Sequence, residues 1–202
     1  MWGLVESGSI TKLINNPKSM VIGDTRHSRK IFELWSKAEL EAIGIYEVEF
    51  DNSNKKDEQW YINTNQSFAF ADGKITASYG SATAKAHADT LYTAQDESDG
   101  KGTEGEVKDE GLKTIKIREV KKQAADILAE TDWYILRKAD ADTAIPSAIT
   151  NHRAAVRTKC ASMETSITNA SNTAAIETLY TYTKQEDGSV TRPLGELPRL
   201  ET

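Results

Sequence analysis

Apolar and polar residues alternate along the first third of the chain with a period of two, which is typical of β-strands. In residues 46–50, for example, Tyr, Val and Phe alternate with two glutamates. Hairpin turns are predicted at Ser7-Gly8 and at Asp72-Gly73, because short polar residues and glycine tolerate the positive φ angles of a tight turn. The pattern therefore predicts a small antiparallel β domain over residues 1–95.

One short helix is predicted to interrupt this domain. Ser36 and Glu39 have the spacing of a capping box, in which the serine side chain accepts a hydrogen bond from a first-turn amide and the glutamate accepts one from the serine N–H. Gly44 is expected to end the helix, because glycine enters the left-handed region without a steric cost.

The composition changes sharply between residues 96 and 111. This segment holds seven acids and four glycines, and Val107 is its only large aliphatic residue. Such a segment buries too little apolar surface to offset the entropy of ordering it. We predict a flexible, extended acidic linker, with an ordered acidic loop as the alternative. A Ca²⁺ site is not indicated, because the acids lack the spacing of an EF-hand loop.

Residues 112–180 are predicted to form a helical domain, either a helical hairpin or a small bundle. Apolar residues recur at helical spacing from Leu112 to Leu128. Thr131 can cap a further helical turn, and Pro146 suits the first position of the next helix.

The helix after Pro146 carries a seam of residues spaced seven apart, broken by one arginine. Whether this seam packs within the chain or between chains is left open. Its members are Ile149, Val156 and Met163 in one row and Arg153, Cys160 and Ile167 in the other.

The tail, residues 181–202, is polar and contains two prolines, so we expect it to be extended or to lie along another chain. The predicted fold class is α+β: a β domain with one helix, an acidic linker, a helical domain and a tail.

Composition and charge narrow the range of functions. The chain of 202 residues is 38% apolar and has a net charge of −6. This balance argues against nucleic acid as the main ligand, since phosphate binding needs clustered Lys and Arg. No apolar segment approaches the roughly 20 residues that cross a membrane, and residues 1–6 do not resemble a signal peptide. The single cysteine, Cys160, rules out a disulfide framework and suits a reducing cytoplasm.

No grouping of residues indicates catalysis. His152 and Cys160 lie about 12 Å apart by helical rise, which is too far for a dyad. We expect Cys160 to act as a small apolar residue instead. The 31 acids offer no distinctive pair, and phosphate-binding glycine loops and metal-ligand motifs are missing from the sequence. We therefore predict no enzyme activity, no cofactor and no metal site.

Five residues of the helical domain are candidates for binding a partner. Trp133 and Tyr134 could form a ligand platform, but a tryptophan between longer helices is more often a core anchor, which is our expectation here. Arg137, Arg153 and Arg157 could clamp a carboxylate. We favour the alternative that they pair with neighbouring acids on a solvated face.

Several of these residues belong to motifs that occur in a fixed order: D-W-Y-x-x-R-K at 132–138, R-A-A-V-R at 153–157 and L-Y at 179–180. In this order they resemble the C-terminal region of tail-fibre assembly (tail assembly chaperone) proteins of tailed bacteriophages, of the marine phage type. W-S-x-x-E at 35–39 and I-G at 43–44 are similar to the N-terminal region of the same proteins. The likeness adds Tyr180 to the candidate residues.

The resemblance implies a protein that helps tail fibres to fold or trimerise, and that in some relatives stays on the fibre. The expected partner is a phage tail-fibre or baseplate protein, and a homo-oligomer is left open. The expected location is the host cytoplasm during assembly, or the virion tail. One alternative is a permanent structural subunit of the tail, fibre or baseplate. A polysaccharide-binding adhesin tip is less favoured, because the surface is acidic and aromatic platforms are few.

Overall fold

The structure is a computed structural model that describes residues 1–200. The chain divides into two compact units, Met1–Thr83 and Ala84–Thr202. Strands dominate the first unit and helices the second, which confirms the α+β class.

The first unit consists of short strands and two short helices. Its elements in chain order are β1 (Trp2–Glu6), β2 (Ser9–Ile14), β3 (Met20–Ile22), β4 (Thr25–His27), α1 (Ile31–Leu34), α2 (Lys37–Ala42), β5 (Ile45–Asp51), β6 (Tyr61–Ile62), β7 (Gln66–Ala71) and β8 (Lys74–Tyr79). Strand β9 (Thr83–Ala84) lies at the boundary between the units.

Five strands form the main sheet of this unit, in the order β2-β1-β5-β8-β7. Both predicted hairpins are confirmed, with positive φ at Ser7-Gly8 between β1 and β2 and at Asp72-Gly73 between β7 and β8. The sheet is mixed, however, because β5 and β8 are parallel, with Val48 opposite Ile75. The prediction of a purely antiparallel domain is wrong at this pair. Hairpin turns specify only the strands that they join, and β5 and β8 are not joined by one.

Each face of the sheet carries its own apolar core. One core packs α1, α2 and the β3–β4 hairpin against the sheet around Leu4, Ile31, Leu40 and Ile45. The other is centred on Val48, Ile75 and Ala77, with partly buried aromatic residues at its margin.

The predicted helix is α2, and its capping box is present. The Ser36 side chain accepts from the Glu39 N–H, and the Glu39 carboxylate accepts from the Ser36 N–H at 2.7 Å. Gly44 follows with φ of +83°, and a Cβ there would meet the Val5 carbonyl oxygen at 2.6 Å. The single-turn helix α1 was not predicted, so the unit has two helices rather than one.

The second unit is mainly helical. Its elements are β10 (Thr90–Leu91), α3 (Ala94–Ser98), β11 (Val107–Asp109), α4 (Leu112–Ala129), α5 (Asp132–Ala141), α6 (Ser147–Asn169), α7 (Thr173–Tyr180), β12 (Thr183–Lys184) and β13 (Val190–Thr191).

The core of this unit lies between α4 and α6. All six seam positions of α6, from Ile149 to Ile167, are buried. Val120 and Ala124 of α4 lie in the same core as Val156, Met163 and their neighbours. The seam therefore packs within the chain, which answers the question that the sequence leaves open.

The acidic segment 96–111 differs from the predicted extended linker. Strand β11 pairs with β10, and the segment belongs to the second unit, whose boundary lies at residue 83. Thr93 and Asp96 form a capping box for α3, and Lys108 donates to Asp96 at 3.2 Å. Asp89 accepts from the Gly111 N–H at 2.6 Å. Hydrogen bonds to carboxylates thus order a segment that has little apolar surface to bury.

The tail also differs from its prediction as far as residue 200. Strands β12 and β13 form a small hairpin, and Leu194 is buried in the core of the second unit. The Leu194 N–H donates to the Leu179 carbonyl at 3.0 Å. Leu194, which lies between the two prolines of the tail, therefore anchors the tail to the helices of the same chain. Its last two residues, 201–202, lie outside the described residues.

The contribution of the Asp96 carboxylate to the folding of the acidic segment can be tested by changing the pH. Hydrogen bonds from the Thr93 N–H and hydroxyl, together with Lys108, lower the pKa of Asp96 to about 2. A lowered pKa stabilises the fold above the unfolded value of about 3.9 and stops doing so as the pH falls toward 2. Asp96→Asn should lower the melting temperature at pH 7, and its difference from the unsubstituted protein should shrink between pH 4 and pH 2.

Thermal unfolding followed by circular dichroism measures this effect. Asp109→Asn is the control, because it removes the same charge from an exposed position on β11. A difference for Asp96→Asn that is absent at pH 7, or equal at pH 2 and pH 7, would contradict the role of this carboxylate.

Candidate protein-interaction surface on helix α5

Helix α5 follows α4 after a break of two residues. Thr131 precedes the helix, but its hydroxyl donates to the Leu128 carbonyl at 3.0 Å instead of capping α5. Asp132 in the first turn and Lys138 in the last turn match the helix dipole. Asp142 ends the helix in the left-handed region, with φ of 48°.

None of the ten residues of α5 is buried. Trp133, Ile135 and Leu136 are 49%, 42% and 69% exposed, and Tyr134 between them is half-buried. Because successive helical residues are turned by about 100°, four in a row surround the helix, and one core cannot cover them all. Exposed apolar side chains of this size make α5 a candidate interaction site.

Three of the candidate residues form one stacked group on α5. The ring centroids of Trp133 and Tyr134 are 3.8 Å apart at an interplanar angle of 31°. The Arg137 guanidinium lies 4.7 Å from the Trp133 ring and 5.4 Å from the Tyr134 ring. Within residues 1–200, Arg137 forms no ion pair. The expectation that Trp133 is a core anchor is therefore wrong, and the tryptophan belongs to an exposed aromatic and cationic surface.

Arg153 of α6 contacts the start of α5. Its side chain is buried on α6 and donates to the Leu128 carbonyl at 2.6 Å and to the Thr131 hydroxyl at 2.7 Å. It also pairs with the Asp132 carboxylate at 2.8 Å. One guanidinium thus joins α6 to the end of α4 and the start of α5. The predicted pairing of an arginine with a neighbouring acid is confirmed for Arg153, although on a buried and not a solvated face.

The two remaining candidates are not brought to this surface. Arg157 is exposed on α6 and pairs with no acid among the described residues. Tyr180 is half-buried at the end of α7, with the cations of Lys116 and Arg192 at 5.5 Å and 5.3 Å from its ring. Burial raises the pKa of Tyr180 to about 12. Tyr180 is therefore part of the structural framework.

Two residues of the surface, Ile135 and Leu136, were missed as candidates. The signal was present in the sequence, because four consecutive apolar residues in a helix cannot all face one core. The x-x positions of the D-W-Y-x-x-R-K motif contain them.

Cys160 fills a place in the core of the second unit, as predicted. Burial raises the pKa of its thiol, and the thiol donates to Glu164 at 3.4 Å. Residues 1–200 contain no group of three or more His, Cys, Asp or Glu that could hold a metal ion. In the same residues, every helix is too short or too polar to cross a membrane.

Comparison with known proteins found no match to a protein-family model, to a curated protein or to a solved structure. The function is therefore inferred from the chemistry of the chain's own residues. The exposed helix α5 is the feature that most needs a functional explanation.

Arg153→Met should weaken the junction of α4, α5 and α6. The substitution keeps the apolar stem but removes the guanidinium's contacts with the Leu128 carbonyl, the Thr131 hydroxyl and the Asp132 carboxylate, which should cost about 1–3 kcal/mol of unfolding free energy. Chemical denaturation followed by circular dichroism checks this. The control is Arg157→Met on the same helix, whose effect should stay within about 0.5 kcal/mol because the side chain is exposed. Equal effects of the two substitutions would refute the role of Arg153.

Trp133→Ala should leave stability almost unchanged. We expect less than about 1 kcal/mol, because half of the indole is already in water, whereas a fully buried tryptophan costs about 3–5 kcal/mol. Met163→Ala, which truncates a buried side chain of the same unit, should cost about 2–5 kcal/mol in the same denaturation experiment. A loss of about 3 kcal/mol or more for Trp133→Ala would show that this tryptophan is buried in the core.

Proposed function

We propose that this protein is a tail-fibre assembly protein of a tailed bacteriophage, which binds a fibre or tail protein non-covalently through α5. One coincidence supports the proposal most. The D-W-Y-x-x-R-K motif lies in the stretch where the resemblance is densest, and its residues 132–138 belong to α5, in which no side chain is buried. Packing within the chain does not require these aromatic and aliphatic side chains to be where they are, whereas binding to a partner would.

The composition of α5 fits the centre of a protein–protein interface. Trp, Tyr and Arg are the residue types that most often dominate binding energy, and α5 carries one of each in a stacked group. The stack also limits the rotamers of the three side chains before binding, which reduces the entropy cost of association. A helix of this kind is recognised by insertion into an apolar groove of the partner.

This mode of action requires no bond-making step. An assembly protein would cover apolar surface on an unfinished fibre and would be displaced as fibre subunits meet. It would act in the host cytoplasm during tail assembly, without a cofactor or nucleic acid.

A second candidate function is a permanent structural subunit of the tail, fibre or baseplate. The first unit favours it, because Val21, Leu34, Phe50 and Ile62 are each more than half exposed there. A protein with apolar surface on both of its units could contact two neighbours and remain in the virion tail.

The role of α5 is tested by co-expressing the protein with the tail-fibre and baseplate proteins of the same phage. Leu136→Glu should weaken capture of the partner by at least about 30-fold, because it places a charge at the centre of an apolar contact. The matched control is Val190→Glu, which introduces the same charge at an exposed apolar residue of the same unit. Unchanged capture with Leu136→Glu, or no capture of any fibre or tail protein, would refute the proposal.

Mass spectrometry of purified phage particles then separates the two functions. Recovery in a fixed ratio to a tail protein supports the structural subunit. Absence from the particles, together with capture of a fibre protein in the cell, supports the assembly protein.

A further inference from the structure

The second unit contains an open groove of about 920 Å³ between α4 and the last described residues of the chain. Its apolar lining includes Ile127 of α4 and Leu197 and Leu200 of the tail, all of them half-buried. The groove has the size of an ordinary binding site for a small ligand or a short segment of protein.

Charged side chains of mainly one sign accompany this apolar lining. Asp126, Glu130 and Glu196 all line the groove, against one cation, Arg199. Asp126 pairs with Lys122 at 2.7 Å, and Glu196 pairs with Arg192 at 2.8 Å. Glu130 forms no ion pair within residues 1–200. An occupant that fits would therefore combine apolar side chains with a cation opposite Glu130.

Helix α5 has this combination. It exposes Trp133 and Leu136 on the face that carries Arg137, a cation that lacks an acidic partner in the described chain. Asp140, one turn beyond, offers an acid to the groove's Arg199. The acid Asp132 is already neutralised by Arg153, and Lys138 by Asp142.

We propose that α5 of one copy of this chain binds in the α4–tail groove of a second copy, with Arg137 of the first copy paired to Glu130 of the second. A chain cannot satisfy its own groove in this way in the observed fold, because α5 begins two residues after Glu130 and none of its residues is buried. The pairing buries Trp133 and Leu136 on the Arg137 face of α5 and joins two charges that have no ion-pair partner elsewhere in residues 1–200.

Such an interface is heterologous, because each copy contributes a helix on one side and a groove on the other. Heterologous contacts produce a closed ring or an open chain of subunits. Self-association would also cover the surface proposed above for a fibre protein, so that copies of the chain and the fibre protein would compete for α5. The inference itself does not depend on the phage function, since it concerns only the purified chain.

The test is sedimentation velocity on the full chain over a range of protein concentrations. The weight-average mass of the unsubstituted protein should rise above that of the monomer as concentration increases. Arg137→Glu and Glu130→Arg should each weaken association by at least about tenfold, because each places like charges opposite one another. Arg157→Glu is the matched control, with the same change of charge on an exposed residue outside both surfaces, and should associate like the unsubstituted protein.

Mixing the two weakened variants is the decisive measurement. In the mixture, the helix of the Arg137→Glu variant meets the groove of the Glu130→Arg variant with opposite charges. The natural Arg137 of the second variant likewise meets the natural Glu130 of the first, so association should return. Circular dichroism of each variant confirms that its helices are retained.

Three results would overturn the inference: a monomer at every concentration, no recovery in the mixture, or loss of association with Arg137→Glu but not with Glu130→Arg. The last result would mean that α5 pairs with α5 of the second copy. Any of these results leaves the capture of a fibre protein to be judged by its own experiment.

Discussion

The contacts of the buried Arg153 guanidinium hold the start of α5 against α4 and α6. It donates hydrogen bonds to the Leu128 carbonyl in the last turn of α4 and to the Thr131 hydroxyl between α4 and α5. It also forms an ion pair with the Asp132 carboxylate of α5. All of these contacts come from the two Nη atoms of the buried cation, and losing any of them would leave charge or polar groups less well paired. The direction of α5 is therefore fixed by polar contacts at its base, and its apolar side chains remain available to other molecules.

Hydrogen bonds to carboxylates stabilise parts of this acidic chain that bury little apolar surface. Glu39 and Asp96 complete capping boxes, and Asp89 binds the backbone just before α4. The two capping boxes are local and the Asp89 contact joins residues 22 apart, and each satisfies amides that a helix start leaves without partners. In this way, a segment with few aliphatic residues, such as 96–111, still folds against its neighbours.

Local signals in the sequence predicted the elements well, and contacts between distant residues explain the differences. The turn at Asp72-Gly73, the capping box at Ser36 and the α6 seam each depend on residues a few positions apart, and all three are present. The parallel pairing of β5 with β8 and the folding of segment 96–111 depend on residues elsewhere in the chain. The expected burial of Trp133 is wrong although the sequence carried a signal, because four consecutive apolar residues in a helix cannot all face one core.

The burial of Cys160 has a practical consequence for studying α5. It is the chain's only cysteine, and its thiol is held in the core with a raised pKa, so it will react slowly with maleimides. A second cysteine placed at an exposed position would be the single fast-reacting thiol. Fluorescent or spin labels can therefore be attached at one chosen point without first removing the natural sulfur.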